Sequence, residues 1–247
     1  MAAGDARKRP PAPVRSRWRR YATRHDEPPR TFSDADAEGL AHDGFVVLDG
    51  FLGDDDARAV RVELEALLDR GAFREARIGH GPSRQRAEGI RSERICWFNV
   101  DRTDVVVADH DRDAGDDDDG VMPGPAVRRY LAALDVVRMA IARSCFPSLG
   151  HIELHAVCYE PGARYGAHLD TFRDDTRRVI SVCDYLNEAW HDDDGGFLRL
   201  HTQPTRDLAP RFDRLVIFRS GTMLHEVLTV RRRRLSMTGW MGAARRA

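Results

Sequence analysis

From Pro147 onward the chain breaks into short runs in which apolar and polar residues alternate: 152–160, 164–170, 177–187, 196–202, 214–219, 224–230 and 233–241. Turn-forming residues separate them, among them Pro161-Gly162, Gly195-Gly196, Pro210 and Ser220-Gly221. Alternation sends every second side chain to the same face, so each run can bury one face and solvate the other. Short runs of this kind at near-regular spacing predict an antiparallel sandwich or barrel.

The first half of the chain has a different rhythm. A short helix is expected over 31–43, then a strand over 44–52. Asp54, Asp55 and Asp56 are expected to cap a helix with apolar positions Val60, Leu64, Leu67 and Leu68, closed by Gly71. Residues 78–89, rich in Gly, Ser, Arg and Gln, predict a mobile loop, and 90–98 returns to strand character. The acidic stretch 109–120 holds four consecutive aspartates at 116–119 but lacks the Gly and Glu spacing of a calcium loop, so a solvated loop is expected. Tyr130, Leu131, Leu134, Val137 and Ile141 mark the buried face of a helix over 124–145. The fold class is therefore α+β, mainly β. One domain over 31–247 is expected, with helical support in 31–147 and a β core in 148–243.

Composition bounds what such a domain can meet. Of 247 residues, 42% are hydrophobic, enough for a core, and the net charge of −1 gives no global field toward nucleic acid or a membrane surface. Residues 1–30 carry nine Arg or Lys against three acids, +6, which leaves −7 on the remainder. With five prolines and little to bury, this stretch is expected to be a disordered basic tail. Cys96, Cys145, Cys158 and Cys183 form no Cys-x-x-Cys pair and read as buried free thiols of a reducing compartment. No apolar run approaches the ~20 residues of a membrane span, and the N-terminus lacks the apolar core of a secretory signal, so the cytoplasm is the expected location.

Within the β half, Tyr-Gly-Ala-His-Leu-Asp at 165–170 holds the chemistry. His168 and Asp170, two apart on an expected strand, would project an imidazole and a carboxylate side by side. They supply two legs of a 2-His-1-carboxylate metal site, which leaves coordination positions open. His-x-Asp by itself is a weak signal in a chain with ten histidines. A second instance, His191 and Asp193, falls in a polar turn that offers no rigid platform. His225, opening a strand 57 residues after His168, is the best third leg.

Nine residues further lies Arg234, sharing one strand face with Ser236, Thr238 and Trp240. A guanidinium there would suit a dicarboxylate that chelates the metal at one end and is held bidentately at the other, with the Thr238 hydroxyl assisting. Arg234 also ends a run of four arginines, 231–234, and such runs are usually solvated turns. Tyr159 and Tyr185, on the flanking strands, can each bring a phenol to a ligand carboxylate.

Several motifs carry a resemblance: Cys158-Tyr159-Glu-Pro-Gly, Tyr165-x-x-His168-x-Asp170, Tyr185-Leu-Asn-x-x-Trp190, Gly195-Gly-Phe-Leu-Arg, His225-Glu-Val and Arg234…Thr238-x-Trp240. Together with the 90–97 and 42–52 stretches they make the chain, from about 33 to 241, resemble the iron(II)/2-oxoglutarate oxygenases. More narrowly, it resembles the prolyl hydroxylases of the oxygen-sensing type and their prokaryotic relatives. That resemblance implies a double-stranded β-helix, or jelly roll, with iron on His168, Asp170 and His225. It implies 2-oxoglutarate on Tyr159, Tyr185, Arg234 and Thr238, with Arg178 and Trp240 where family members meet the substrate peptide. The expected cofactors are Fe(II), 2-oxoglutarate and dioxygen, with ascorbate as reductant. The expected reaction hydroxylates a prolyl residue in a protein or peptide, releasing succinate and carbon dioxide; the alternative is a free amino acid or other small molecule. A carboxylate at 170 favours hydroxylation, since a small residue there would leave room for halide. No nucleic-acid or membrane partner is expected.

Overall fold

The computed structural model describes residues 30–76, 92–99, 120–171 and 178–243. The expected tail, the 78–89 loop and most of the acidic stretch lie outside the described residues. Three helices and eleven strands follow in the order α1 (Asp34–His42), β1 (Phe45–Asp49), α2 (Asp54–Asp69), β2 (Arg74–Glu75), β3 (Arg94–Trp97), α3 (Pro125–Ser144), β4 (Leu149–Tyr159), β5 (Tyr165–His168), β6 (Arg178–Tyr185), β7 (Leu198–Leu200), β8 (Arg206–Leu208), β9 (Arg214–Arg219), β10 (His225–Val227) and β11 (Arg234–Ala243). The strands form a seven-stranded sheet, ordered β1-β9-β6-β11-β4-β3-β2, and a four-stranded sheet, β5-β10-β7-β8. Their pairings are antiparallel. This is the two-sheet arrangement of a jelly roll, as expected.

Local chemistry explains the helix boundaries. Ser33 caps α1 in a reciprocal box, its hydroxyl accepting from the Asp36 N–H at 3.2 Å while the Asp36 carboxylate accepts from the Ser33 N–H at 2.8 Å. The α2 start differs from expectation. Its N-cap is Gly53, at φ 83°, and Asp54, Asp55 and Asp56 fill the first turn, where they favour the positive end of the helix dipole. A carboxylate 160 residues away serves this end instead. Asp213 accepts from the Leu52 and Gly53 N–H groups, each at 2.8 Å. At the other end Gly71, at φ 71°, lets its own N–H reach Leu68 O and that of Ala72 reach Leu67 O, a Schellman ending.

Helix α3 starts on Pro125, where the missing N–H costs nothing. Its free N–H groups are met by Glu63 of α2, which accepts from Gly124 at 2.7 Å and Ala126 at 2.9 Å. One side chain thus caps α3 and ties it to α2. Glu63→Ala is expected to destabilise the protein by about 1–3 kcal/mol, read as a lower denaturation midpoint; an unchanged midpoint would show that the cap contributes nothing.

The two faces of the larger sheet have different tasks. Leu235, Met237 and Met241 of β11, Leu154 and Ala156 of β4, and Val182 of β6 pack with the buried faces of α2 and α3 into the main core. The alternate residues, Arg234, Ser236, Thr238 and Trp240, face the smaller sheet. Two smaller apolar clusters fill that side, one around Tyr185, Leu200, Val216 and Phe218, the other around Val157, Tyr159, Val227 and Val230.

Several boundaries move. The expected 164–170 strand ends at His168, so Asp170 lies beyond it; the 224–230 run contracts to β10, and β4 begins three residues early. The two short strands β2 and β8 were not anticipated. Cys96 and Cys158 are buried, but Cys145 and Cys183 are only half-buried; all four are free. Among the described residues, no helix is long and apolar enough to cross a membrane.

Candidate iron and co-substrate site

His168 and His225 are direct partners across the β5–β10 pairing, so both side chains leave the small sheet on one face, their rings 4.2 Å apart. Each ring is held by a backbone carbonyl two residues earlier: His168 Nδ1 lies 2.8 Å from Gly166 O, and His225 Nδ1 lies 2.9 Å from Met223 O. A carbonyl can only accept, so both rings carry the proton on Nδ1 and turn the Nε2 lone pair into the cavity. Tyr165 stacks on the His168 ring at 3.7 Å, and Phe218 meets the His225 ring edge-on at 4.7 Å, which fixes both ring planes.

Asp170 completes the set. Its Oδ1 is 3.6 Å from His168 Nε2 and its Oδ2 is 3.7 Å from His225 Nε2. The three ligand atoms lie within 4.8 Å of one another, close enough to share one ion. Burial works to raise the Asp170 carboxyl, but the His225 and His168 imidazoles and a Ser181 hydrogen bond outweigh it and hold the group well below the usual carboxylate range. Burial pushes the His225 imidazole down, toward the neutral form that a metal requires. An ionised carboxylate and two imidazoles that present Nε2 to one point fit a divalent first-row metal such as Fe(II).

Arg234 is the other unusual feature. It is 2% exposed, among the largest fully buried side chains, and it sits between two phenol rings, 4.9 Å from the Tyr159 centroid and 4.8 Å from that of Tyr185. Its neighbours in the arginine run behave differently: Arg231, Arg232 and Arg233 bond Asp193 O, Glu188 O and the Glu160 carboxylate at the surface. Among the described residues Arg234 has no ion-pair partner, and its Nε and the Tyr185 hydroxyl are buried without a hydrogen bond. Gly196, at φ 61°, makes room for the side chain, since a Cβ there would stand 3.1 Å from Arg234 Cδ. A buried guanidinium with no counter-charge fits an incoming carboxylate, as 2-oxoglutarate would supply. Thr238, half-buried on the same strand face, has its hydroxyl 4.0 Å from Cys183 Sγ.

Arg178 and Trp240 are brought together, although not as two separate contacts. The Arg178 guanidinium lies 3.5 Å over the Trp240 ring and donates to Glu153 Oε2 from Nη2 at 2.9 Å and Nε at 3.2 Å. Trp240 in turn stacks on His155 at 5.1 Å, and the Trp97 ring meets His155 at a tilt, 4.5 Å away. Glu153 and His155 were missed by sequence reasoning. The signal was available: they alternate with apolar residues along β4 and so share the face of Tyr159. Ser181 and Ser220 were missed as well, since lone serines carry no motif. The second His-x-Asp pair, at His191 and Asp193, sits on an exposed 3-10 turn and approaches none of these groups.

A jelly roll with two histidines paired on one sheet, an aspartate just past its edge and a buried arginine on the other sheet defines the class of iron oxygenases that use a 2-oxo acid. Comparison with known proteins agrees. A family model described as 2OG-Fe(II) oxygenase superfamily matches residues 154–242. The crystal structure of a Pseudomonas putida prolyl-4-hydroxylase superposes with a TM-score of 0.69 at 34% identity, covering 86% of this chain and 99% of that one. A Trichoplax adhaerens prolyl hydroxylase shares the fold, with a TM-score of 0.67 over 84% of this chain and 87% of that one, at 24% identity. In sequence, the chain is 30% identical over 206 residues to the hypoxia-inducible factor prolyl hydroxylase of Caenorhabditis elegans, covering 80% of this chain and 26% of that protein. It is 27% identical over 210 residues to Egl nine homolog 1 of Homo sapiens, covering 80% and 43%. The chain thus spans a quarter to about half the length of these curated relatives. It belongs to the prolyl 4-hydroxylase family of the 2OG-Fe(II) oxygenases.

Proposed function

We propose that this protein is an Fe(II)- and 2-oxoglutarate-dependent dioxygenase that hydroxylates a prolyl residue in a protein or peptide and releases succinate and carbon dioxide. One observation carries the reading: a His-Asp-His triad, with His225 buried and His168 and Asp170 half-buried, stands at the small sheet, and on the facing side of the larger sheet a buried guanidinium has no carboxylate of its own among the described residues. The prolyl preference draws its support from the 34% identity to the Pseudomonas putida prolyl-4-hydroxylase across nearly all of that chain.

In this reading His168, Asp170 and His225 hold the iron. Arg234 binds the far carboxylate of 2-oxoglutarate, with the hydroxyls of Tyr185, Tyr159 and Thr238 as further donors. When bound, iron and 2-oxoglutarate together activate dioxygen, coupling decarboxylation of the co-substrate to hydroxylation of a C–H bond. The chain supplies position and dryness. Nδ1 hydrogen bonds and ring contacts hold the two imidazoles in register before any ligand arrives. Apolar clusters on both sides of the cavity exclude water.

Arg178 and Trp240 form one wall for the substrate. Glu153 neutralises Arg178, so this wall meets a peptide by shape and stacking rather than by net charge. Ascorbate serves as the reductant, and the four free thiols suit a reducing compartment such as the cytoplasm.

The test supplies the protein with Fe(II), ascorbate, 2-oxoglutarate and proline-containing peptides or lysate proteins, and follows succinate together with peptide mass. The expected result is a gain of one oxygen on proline in step with succinate. Succinate in step with oxidation of a free amino acid, and none on peptides, would transfer the assignment to small molecules.

A further inference from the structure

Asp170 lies two residues past the end of β5, so no strand ladder fixes its carboxylate. The larger sheet holds it instead. Ser181 of β6 places its hydroxyl 2.6 Å from Asp170 Oδ2, and Ser220, just after β9, places its hydroxyl 2.8 Å from that of Ser181. Both serines are buried to 1% exposure or less. A metal-binding carboxylate can only accept, so Ser181 donates to Asp170. With its one proton committed, Ser181 accepts from Ser220. The chain Ser220 to Ser181 to Asp170 has a single direction, and it ends on one carboxylate oxygen. Oδ1, 3.6 Å from His168 Nε2, has no such partner among the described residues, whereas Oδ2, 3.7 Å from His225 Nε2, is the oxygen that Ser181 engages.

We propose that Ser181, backed by Ser220, is a positioning residue that engages Oδ2 so that Asp170 offers the metal Oδ1 alone. A carboxylate free to turn can chelate through both oxygens and fill a coordination position that the co-substrate and dioxygen need. Two hydroxyls with no metal contact of their own thus keep the iron open. The inference rests on the iron reading of the triad.

The test uses the full chain, anaerobically, in Ser181→Ala, Ser181→Thr, Ser220→Ala and His168→Ala variants. Fe(II) is titrated first, and 2-oxoglutarate is then titrated into the metal-saturated protein with visible charge-transfer absorption recorded. Ser181→Ala is expected to keep iron but to bind 2-oxoglutarate about tenfold or more weakly, within the range typical of losing a group that orients a metal ligand, with a shifted absorption band. Ser181→Thr restores both, and Ser220→Ala moves both in the same direction by less. If Ser181→Ala fails to fold, Ser220→Ala carries the test, since it leaves the bond to Asp170 in place. Co-substrate affinity and spectrum unchanged in a folded Ser181→Ala, while His168→Ala loses iron, would overturn the inference alone. Iron bound by His168→Ala as by the wild type would overturn the reading of the site itself.

Discussion

Replacing His225 with alanine is expected to abolish iron-dependent succinate formation. Among the described residues its Nε2 is one of three metal-ligand atoms that converge, and its ring is already committed through Nδ1 to Met223 O. No other described histidine stands close enough to replace it within that cluster. The expected loss is at least about a thousandfold, well beyond the ~10–100-fold that follows from removing a group that merely supports a ligand. The variant should stay folded, because β10 keeps its backbone pairing to β5 and β7. The check is succinate release at saturating 2-oxoglutarate, beside a thermal melt of the metal-free protein. Activity within tenfold of the wild type would remove His225 from the triad.

Arg234→Met should separate co-substrate binding from folding. Losing one partner of a buried charge pair costs roughly 2–5 kcal/mol, and each 1.4 kcal/mol is a factor of about ten. The affinity for 2-oxoglutarate should therefore fall by between about 30-fold and 3,000-fold. The free protein should respond in the opposite direction. Without ligand the guanidinium is a buried cation lacking a counter-charge among the described residues, so a methionine of similar length should leave the melting temperature equal or higher. Added 2-oxoglutarate should raise the melting temperature of the metal-loaded wild type and not of the variant. An undiminished shift in Arg234→Met would place the co-substrate elsewhere.

Much of this was readable from the chain, and what was not has physical reasons. Period-two alternation marked most strands of the β core, because one face of each is buried whatever it packs against. The strands β2 and β8 escaped because two or three mostly exposed residues contain no period. Gly71 announced the end of α2 through a backbone conformation that only local chemistry sets. The caps at the other ends were invisible: Asp213 serves α2 and Glu63 serves α3 across 160 and 61 residues, and no local window contains both partners. The same distinction runs through the site. His168, Asp170 and His225 were found by spacing, although Asp170 reaches its place from beyond the strand rather than on it. Arg234 was singled out from three adjacent arginines by its offset from His225 and the alternation after it. Glu153, His155, Ser181 and Ser220 carry no motif, and only the pairing of β4, β6, β9 and β11 brings them together at the site.

The central claim is that one ferrous ion and one 2-oxoglutarate share the cavity, the metal on His168, Asp170 and His225 and the far carboxylate on Arg234. Anaerobic calorimetric titration of 2-oxoglutarate into the protein, with and without Fe(II), tests it most directly. The account predicts one binding event per chain that requires the metal, vanishes in Asp170→Ala and weakens sharply in Arg234→Met. Equal binding with and without iron, or binding that survives both substitutions, would contradict it.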